Sequence, residues 1–96
     1  MTEERIKEEI EYIIDITGEP IRECDGHENA LIGYTSSFSG NDRPTRLVYD
    51  IEKILENLVI NSDPQMTRDE ALEYFNYNIA EAYVGPHTPV FVNKIN

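Results

Sequence analysis

The first eighteen residues alternate apolar and acidic positions with the period of an amphipathic helix. Thr2 is suited to cap this helix, and the carboxylates of the first turn favour its positive end. Gly18 and Pro20 predict where the helix stops. The predicted packing face consists of Ile6, Ile10, Ile13, Ile14 and Thr17, and the opposite face carries Glu4, Glu8, Glu11 and Asp15.

Two short apolar runs predict a β-hairpin in the next part of the chain. Residues 30–35, ALIGYT, are β-prone, and residues 46–49, RLVY, are suited to form the returning strand. The polar segment between them contains Gly40-Asn41, which favours a turn. Residues 19–29 show no period and predict an irregular connection between the first helix and the hairpin.

An aspartate marks the expected start of a second helix. Asp50 can cap a helix that runs to Ile60, because a broad apolar stripe follows it. A rival interpretation starts this helix at Thr45, since LVY is compatible with a strand or a helix. A strand followed by an aspartate cap uses both local signals, so we favour the hairpin. The stripe consists of Ile51, Ile54, Leu55, Leu58 and Val59.

A capping box predicts the start of a third helix. Thr67 and Glu70 have the spacing at which each side chain accepts a hydrogen bond from the other residue's backbone amide, so the helix should begin near Arg68. Gly85 predicts its end, and two prolines stiffen the exit toward a last strand at residues 90–92. Helical spacing is kept by Leu72, Phe75, Ile79, and Ala82 with Tyr83.

The resulting order, α-β-β-α-α-β, predicts a small α+β domain spanning residues 1–96. Residues 1–18 form its acidic helix and residues 30–92 its core. A three-stranded, mostly antiparallel sheet packed by helices has two edges. Pairing across a homodimer, or covering an edge with the first helix, would protect them.

The charge of the chain disfavours direct contact with nucleic acid. There are 19 acidic and 8 basic residues, for a net charge of −11, and ten of the acids lie in residues 1–28. Binding to phosphates needs clustered lysine and arginine, which this sequence lacks. The acidity serves either solubility or attraction of a basic protein partner.

Cysteine content and hydropathy predict a cytoplasmic protein that does not contact a membrane. The single Cys24 excludes an internal disulfide and fits a reducing compartment. No apolar run approaches the ~20 residues that cross a bilayer. The acidic start of the sequence lacks the features of a secretory signal.

Few residues have side chains that indicate catalysis or metal binding. Cys24, Asp25 and His27 are the one group that looks reactive, since an imidazole can activate a thiol. With His87 they are too few and badly spaced for a structural zinc site, and no calcium loop is present. Nucleotide-binding loops are also absent, and Gly33 predicts a bulge or a close packing point. We therefore predict no metal and no cofactor.

The acidic face of the first helix has a second interpretation. Its four carboxylates, Glu4, Glu8, Glu11 and Asp15, would extend over about 16 Å at helical rise. This face either meets water or mimics the phosphates of a nucleic acid.

The third helix and the loop that follows it are rich in tyrosine and asparagine. In one interpretation Tyr77 and Tyr83 pack on the sheet, while Asn76 and Asn78 satisfy backbone groups. In the other they form a recognition patch or dimer contact, because tyrosine combines large contact area with a polar tip. The candidate interaction residues are Tyr74, Tyr77, Asn78, Tyr83, His87 and Thr88.

Four segments, ALIGYT, RLVYDIEKILENL, MTRDEALEYFNYN and AYVGPHTPVFV, occur in that order. They resemble a group of small acidic proteins of bacteriophages and prophages. The resemblance spans about residues 30–92 and leaves out the acidic helix. It implies a viral origin and no assigned activity. The positions matching its motif are Tyr49, Asp50, Tyr77, Asn78, Tyr83, Gly85, Thr88 and Pro89.

Together these features favour a non-enzymatic, phage-derived protein that binds a host or viral protein through its tyrosine-rich helix. The alternatives are an acidic mimic that occupies a basic groove and, in another class, a small enzyme using Cys24 and His27.

Overall fold

The α-β-β-α-α-β order and the α+β class predicted from the sequence are confirmed. The computed structural model describes residues 3–36, 44–82, 85 and 87–95. The helices are α1 (Glu3–Thr17), α2 (Ile51–Asn61) and α3 (Arg68–Tyr74), the strands are β1 (Leu31–Ser36), β2 (Thr45–Asp50) and β3 (Val90–Val92), and shorter helical segments span Glu28–Ala30 and Phe75–Ala80. No helix in those ranges is long and apolar enough to cross a bilayer.

The central strand of the sheet is β2. It pairs antiparallel with β1, which confirms the hairpin, and parallel with β3. The β1 register shifts between Leu31 and Gly33, so the bulge predicted at Gly33 is present. A side chain at Gly33 would meet nothing within 4 Å, which excludes the alternative of a close packing point. The expected turn at Gly40-Asn41 lies outside the described residues.

Alternating burial along β2 shows why these residues form a strand and not the start of a helix. Thr45, Leu47 and Tyr49 are buried, whereas the residues between them are half-buried. Only a strand brings every second side chain to one face. The Asp50 side chain then accepts the Glu52 amide at 3.2 Å and caps α2, so a helix starting at Thr45 is excluded.

One stripe of α1 packs on the core, and it is narrower than the sequence predicts. Ile6, Ile10 and Ile13 are buried, whereas Ile14 and Thr17 are exposed. Each residue turns a helix by about 100°, so Ile14 lies beside the packing stripe and not on it. The helix ends as expected, since Gly18 has a φ of +69° and donates its amide to the Ile14 carbonyl. The predicted Thr2 cap is outside the described residues.

The third helix begins as predicted and changes form after two turns. Both hydrogen bonds of the Thr67–Glu70 capping box are present. The prediction of one regular helix to Gly85 is wrong, because Phe75–Ala80 forms a π-helical segment. A wider turn rotates the following side chains relative to α-helical spacing. Phe75 is buried and Ile79 half-buried, but Leu72 and Ala82 are exposed.

An aromatic group centred on Phe91 joins β2, the π-helical segment and β3. The Phe91 ring lies 6.0 Å from that of Tyr49 and 5.3 Å, edge to face, from that of Phe75. Tyr49 is almost completely buried, and its hydroxyl accepts the Cys24 amide at 2.9 Å. The irregular loop at residues 19–29 is therefore tied to the centre of the sheet.

A second contact holds the start of that loop. The Glu19 carboxylate accepts both the backbone amide of Thr45, at 3.0 Å, and its hydroxyl, at 2.7 Å. These hydrogen bonds lower the pKa of Glu19, and the one from the Thr45 hydroxyl has the largest effect. A charged carboxylate forms strong hydrogen bonds with these two donors, so the contact fixes the direction in which the loop leaves α1.

We expect Tyr49→Phe to lower the free energy of unfolding by about 1–3 kcal/mol, because it leaves the part-buried Cys24 amide without its acceptor. Tyr77→Phe removes the same hydroxyl from an exposed ring and should stay within about 0.5 kcal/mol of the original protein. Urea unfolding of the two variants measures both. Equal, small effects would show that the Tyr49 hydroxyl does not stabilise the fold.

Candidate functional site

The tertiary structure brings the Cys24–His27 loop against α3 and the π-helical segment. Two open clefts lie along this junction. The first has a volume of about 300 Å³, and its lining includes His27, Asn57, Asn61, Ser62 and Tyr74. The second, of about 160 Å³, is lined by Glu23, Cys24, Asn78, Ile79, Pro89 and Phe91, among others. Two candidate regions that are far apart in the sequence thus lie side by side, and the residues that line the two clefts, together with the exposed Tyr77 next to Asn78, are called the junction surface.

Asn57, a buried residue in the lining of the first cleft, is paired with the side-chain amide of Asn29. Asn57 Nδ2 donates to Asn29 Oδ1 at 2.7 Å, and Asn29 Nδ2 donates back to Asn57 Oδ1 at 3.1 Å. Asn57 Nδ2 also lies 3.2 Å from His27 Nδ1. Because an amide nitrogen only donates, His27 Nδ1 acts as the acceptor and the ring is neutral. This group joins the loop to α2.

The sequence pattern did not indicate a role for Asn57. It lies among the apolar residues of α2 and is buried, as Ile54 and Leu55 are. A polar residue among such residues signals a buried hydrogen-bond partner, but only the fold shows that the partners are Asn29 and His27.

The Cys24 thiol is unsuited to nucleophilic chemistry. Burial, with the charges of Asp25 and Glu28, raises its pKa to about 11, so the thiol is protonated at neutral pH. Burial also lowers the pKa of His27, whose Nδ1 already accepts from Asn57. An activated cysteine needs the opposite shift in its own pKa. The loop therefore has a structural role.

The tyrosines divide between the core and the surface. Tyr77 is 71% exposed and Tyr74 42% exposed, so of the two interpretations the one in which Tyr77 packs on the sheet is wrong. Ala71 and Phe75 are buried on another face of this helical stretch, so both tyrosine rings are directed away from the core. Asn78 Nδ2 donates to the Tyr74 carbonyl at 3.2 Å, which confirms that it satisfies a backbone group. Tyr83 lies outside the described residues.

His87 and Thr88 are held by contacts of their own. His87 Nδ1 lies 2.9 Å from the Thr45 carbonyl, so that nitrogen carries the proton and donates. The same nitrogen is 3.8 Å from Glu19 Oε1. The Thr88 hydroxyl donates to the Gly85 carbonyl at 2.7 Å and closes a turn in which Gly85 has a φ of +106°. These two residues shape the loop and are only half-exposed.

The acidic face of α1 is exposed over its whole length and is separate from the junction surface. Its members are Glu4, Glu8, Glu11 and Asp15. Within the described part of the chain, no cluster of three or more potential ligands is arranged to hold a metal ion.

No protein-family model, curated protein or solved structure matches the chain. The resemblance to phage proteins stays a prediction. Two of its motif positions that the structure describes, Tyr49 and Asp50, have roles inside the fold, whereas Tyr77 and Asn78 lie at the surface.

Stability should fall in two steps as the pH is lowered. The folded pKa of His27 is below its ordinary value of about 6.5, so the unfolded chain binds more protons just below that pH and stability declines there. Glu19, whose folded pKa is also lowered, should add a second decline below about pH 4.5, the region where an unfolded glutamate takes up its proton.

Urea unfolding across this pH range measures both steps. His27→Gln should remove the step near pH 6 and leave the more acidic one, whereas Glu19→Gln should do the reverse. A profile that neither substitution changes would show that these two groups do not couple protonation to folding.

Proposed function

We propose that this chain is a non-enzymatic, phage-derived protein that binds a host or viral protein through the junction surface. The observation that supports this most directly is the exposure of Tyr74 and Tyr77 on a helix whose other face is fixed in the core. Rings presented by a rigid helix bury much area at little entropic cost when a partner covers them.

The surroundings of these rings support recognition and not catalysis. The adjoining clefts offer amide, hydroxyl and imidazole groups that can hydrogen-bond a partner. The thiol in the second cleft has a raised pKa and is a poor nucleophile. A small enzyme based on Cys24 and His27 therefore has little chemical support.

Tyr77→Ala should weaken partner binding at least about tenfold, because it removes an exposed ring from the proposed interface. The matched control is Tyr12→Ala, which removes a ring that is 61% exposed on α1. Immobilised protein and both variants would be incubated with host-cell lysate, and retained proteins identified by mass spectrometry and titrated after purification.

A partner that Tyr12→Ala retains and Tyr77→Ala loses supports the junction surface. Equal retention by both variants contradicts it. Thermal unfolding of each variant separates lost contact from lost structure.

Mimicry of a nucleic acid is a second candidate, supported by the exposure of all four carboxylates on α1. A mimic would bind a protein that also binds DNA or RNA, and it would do so through charge. Replacing Glu4, Glu8, Glu11 and Asp15 with glutamine should then abolish binding, and salt should weaken it steeply. A partner that double-stranded DNA cannot displace, and whose affinity these changes leave intact, would exclude mimicry.

A further inference from the structure

The outer edge of β1 has the features of a strand acceptor. β1 pairs with β2 on one side, and within the described residues no strand pairs with its other side. Every residue of β1 after Leu31 is exposed, and its sequence, LIGYTS, has no charged residue. Natural sheets usually protect such an edge with charges, prolines or a covering segment, because its free amides and carbonyls can pair with another chain.

An apolar groove runs beside this edge. It has a volume of about 140 Å³ and lies between α1 and the hairpin, with Ile6, Ile10 and Ile13 on one side, Leu31 and Tyr34 on the other, and Leu47 among its lining. Tyr34 pairs with Leu47 in the register, so both side chains are on the face that α1 covers. Tyr34 nevertheless remains 54% exposed. The groove can thus receive alternate side chains of a strand added to β1.

The net charge of the chain favours one kind of strand at this edge. Glu9 is the charged residue that lines the groove, and Arg5, 4.0 Å away, offsets part of its charge. Glu4, Glu8 and Glu11 are exposed on the opposite face of α1, so they act through the net charge of −11 and not through contact with the groove. Arg46 is opposite Thr35 in the register and so lies on the other face of β2 from Leu47.

A second copy of this chain would bring two acidic helices and two net charges of −11 together at such an edge. Repulsion between them disfavours self-pairing, whereas lysine or arginine beside the added strand is attracted. Charge therefore favours a basic partner over a homodimer at this surface.

We propose that β1 binds an extended basic segment of a partner protein as an added strand. Alternate apolar side chains of that segment enter the groove, and lysine or arginine residues that flank them are attracted by Glu9 and by the net negative charge of the chain. This surface is distinct from the junction surface and does not depend on it.

The probe is a fluorescently labelled peptide in which valine and threonine alternate and lysines stand at both ends, measured by fluorescence anisotropy with the full chain. Matched probes replace the lysines with glutamate, or carry N-methyl groups that remove backbone donors. We expect the lysine probe to bind best, to weaken as salt is added, and to lose at least about tenfold in affinity on N-methylation.

Two pairs of protein variants locate the binding. Tyr34→Lys should weaken the lysine probe about tenfold or more, whereas Tyr77→Lys, which adds the same charge on the junction surface, should leave it nearly unchanged. Glu9→Gln should reduce the salt dependence, and Glu73→Gln, at an exposed site on α3, should not. Thermal unfolding confirms that each variant folds.

Equal binding of the glutamate probe or of the N-methylated probe would overturn the proposal, as would equal losses from Tyr34→Lys and Tyr77→Lys. Sedimentation equilibrium of the free protein tests whether a second copy of the chain occupies the edge instead. A dimer that Tyr34→Lys dissociates would assign the edge to a second copy and also overturn the proposal.

Discussion

The hydrogen bond from the Cys24 amide to the buried Tyr49 hydroxyl is the contact on which the arrangement of this fold depends. The loop at residues 19–29 is irregular and has few backbone partners of its own, so its buried polar groups need side chains from elsewhere. Tyr49 supplies a ring to the core and an oxygen to the loop. Burial raises its pKa to about 12, which keeps the hydroxyl neutral.

Two other contacts secure the loop on either side of that point. Glu19 accepts both donors of Thr45 at the start of β2, and Asn57 of α2 holds Asn29 and His27. Cys24 and His27, which looked reactive in the sequence, therefore lie in a loop that these contacts hold in place. The His27 imidazole is neutral and accepts from an amide, and the half-buried Cys24 thiol has a raised pKa, so neither group is poised for nucleophilic chemistry.

A core this small covers only part of each helix and strand, and the uncovered parts form the two candidate surfaces. Ala71 of α3 and Phe75 of the π-helical segment fill the core, and this orientation turns Tyr74 and Tyr77 toward solvent. In the same way, α1 covers Leu47 but leaves β1 exposed along its edge. One surface offers aromatic rings and small polar clefts, and the other offers an uncharged strand edge beside an apolar groove. The two therefore suit different kinds of contact.

Local signals in the sequence determined the elements: Asp50 and the Thr67–Glu70 box mark helix starts, Gly18 marks an end, and residues 30–35 and 46–49 form the hairpin. Each depends on hydrogen bonds or sterics within a few residues, which a sequence displays directly. Tertiary structure alone decided the exposure of Ile14 and Tyr77, the π-helical segment, and the meeting of His27, Asn29 and Asn57. These depend on which neighbour occupies each face, and contacts between residues about thirty positions apart leave no periodic trace in the chain.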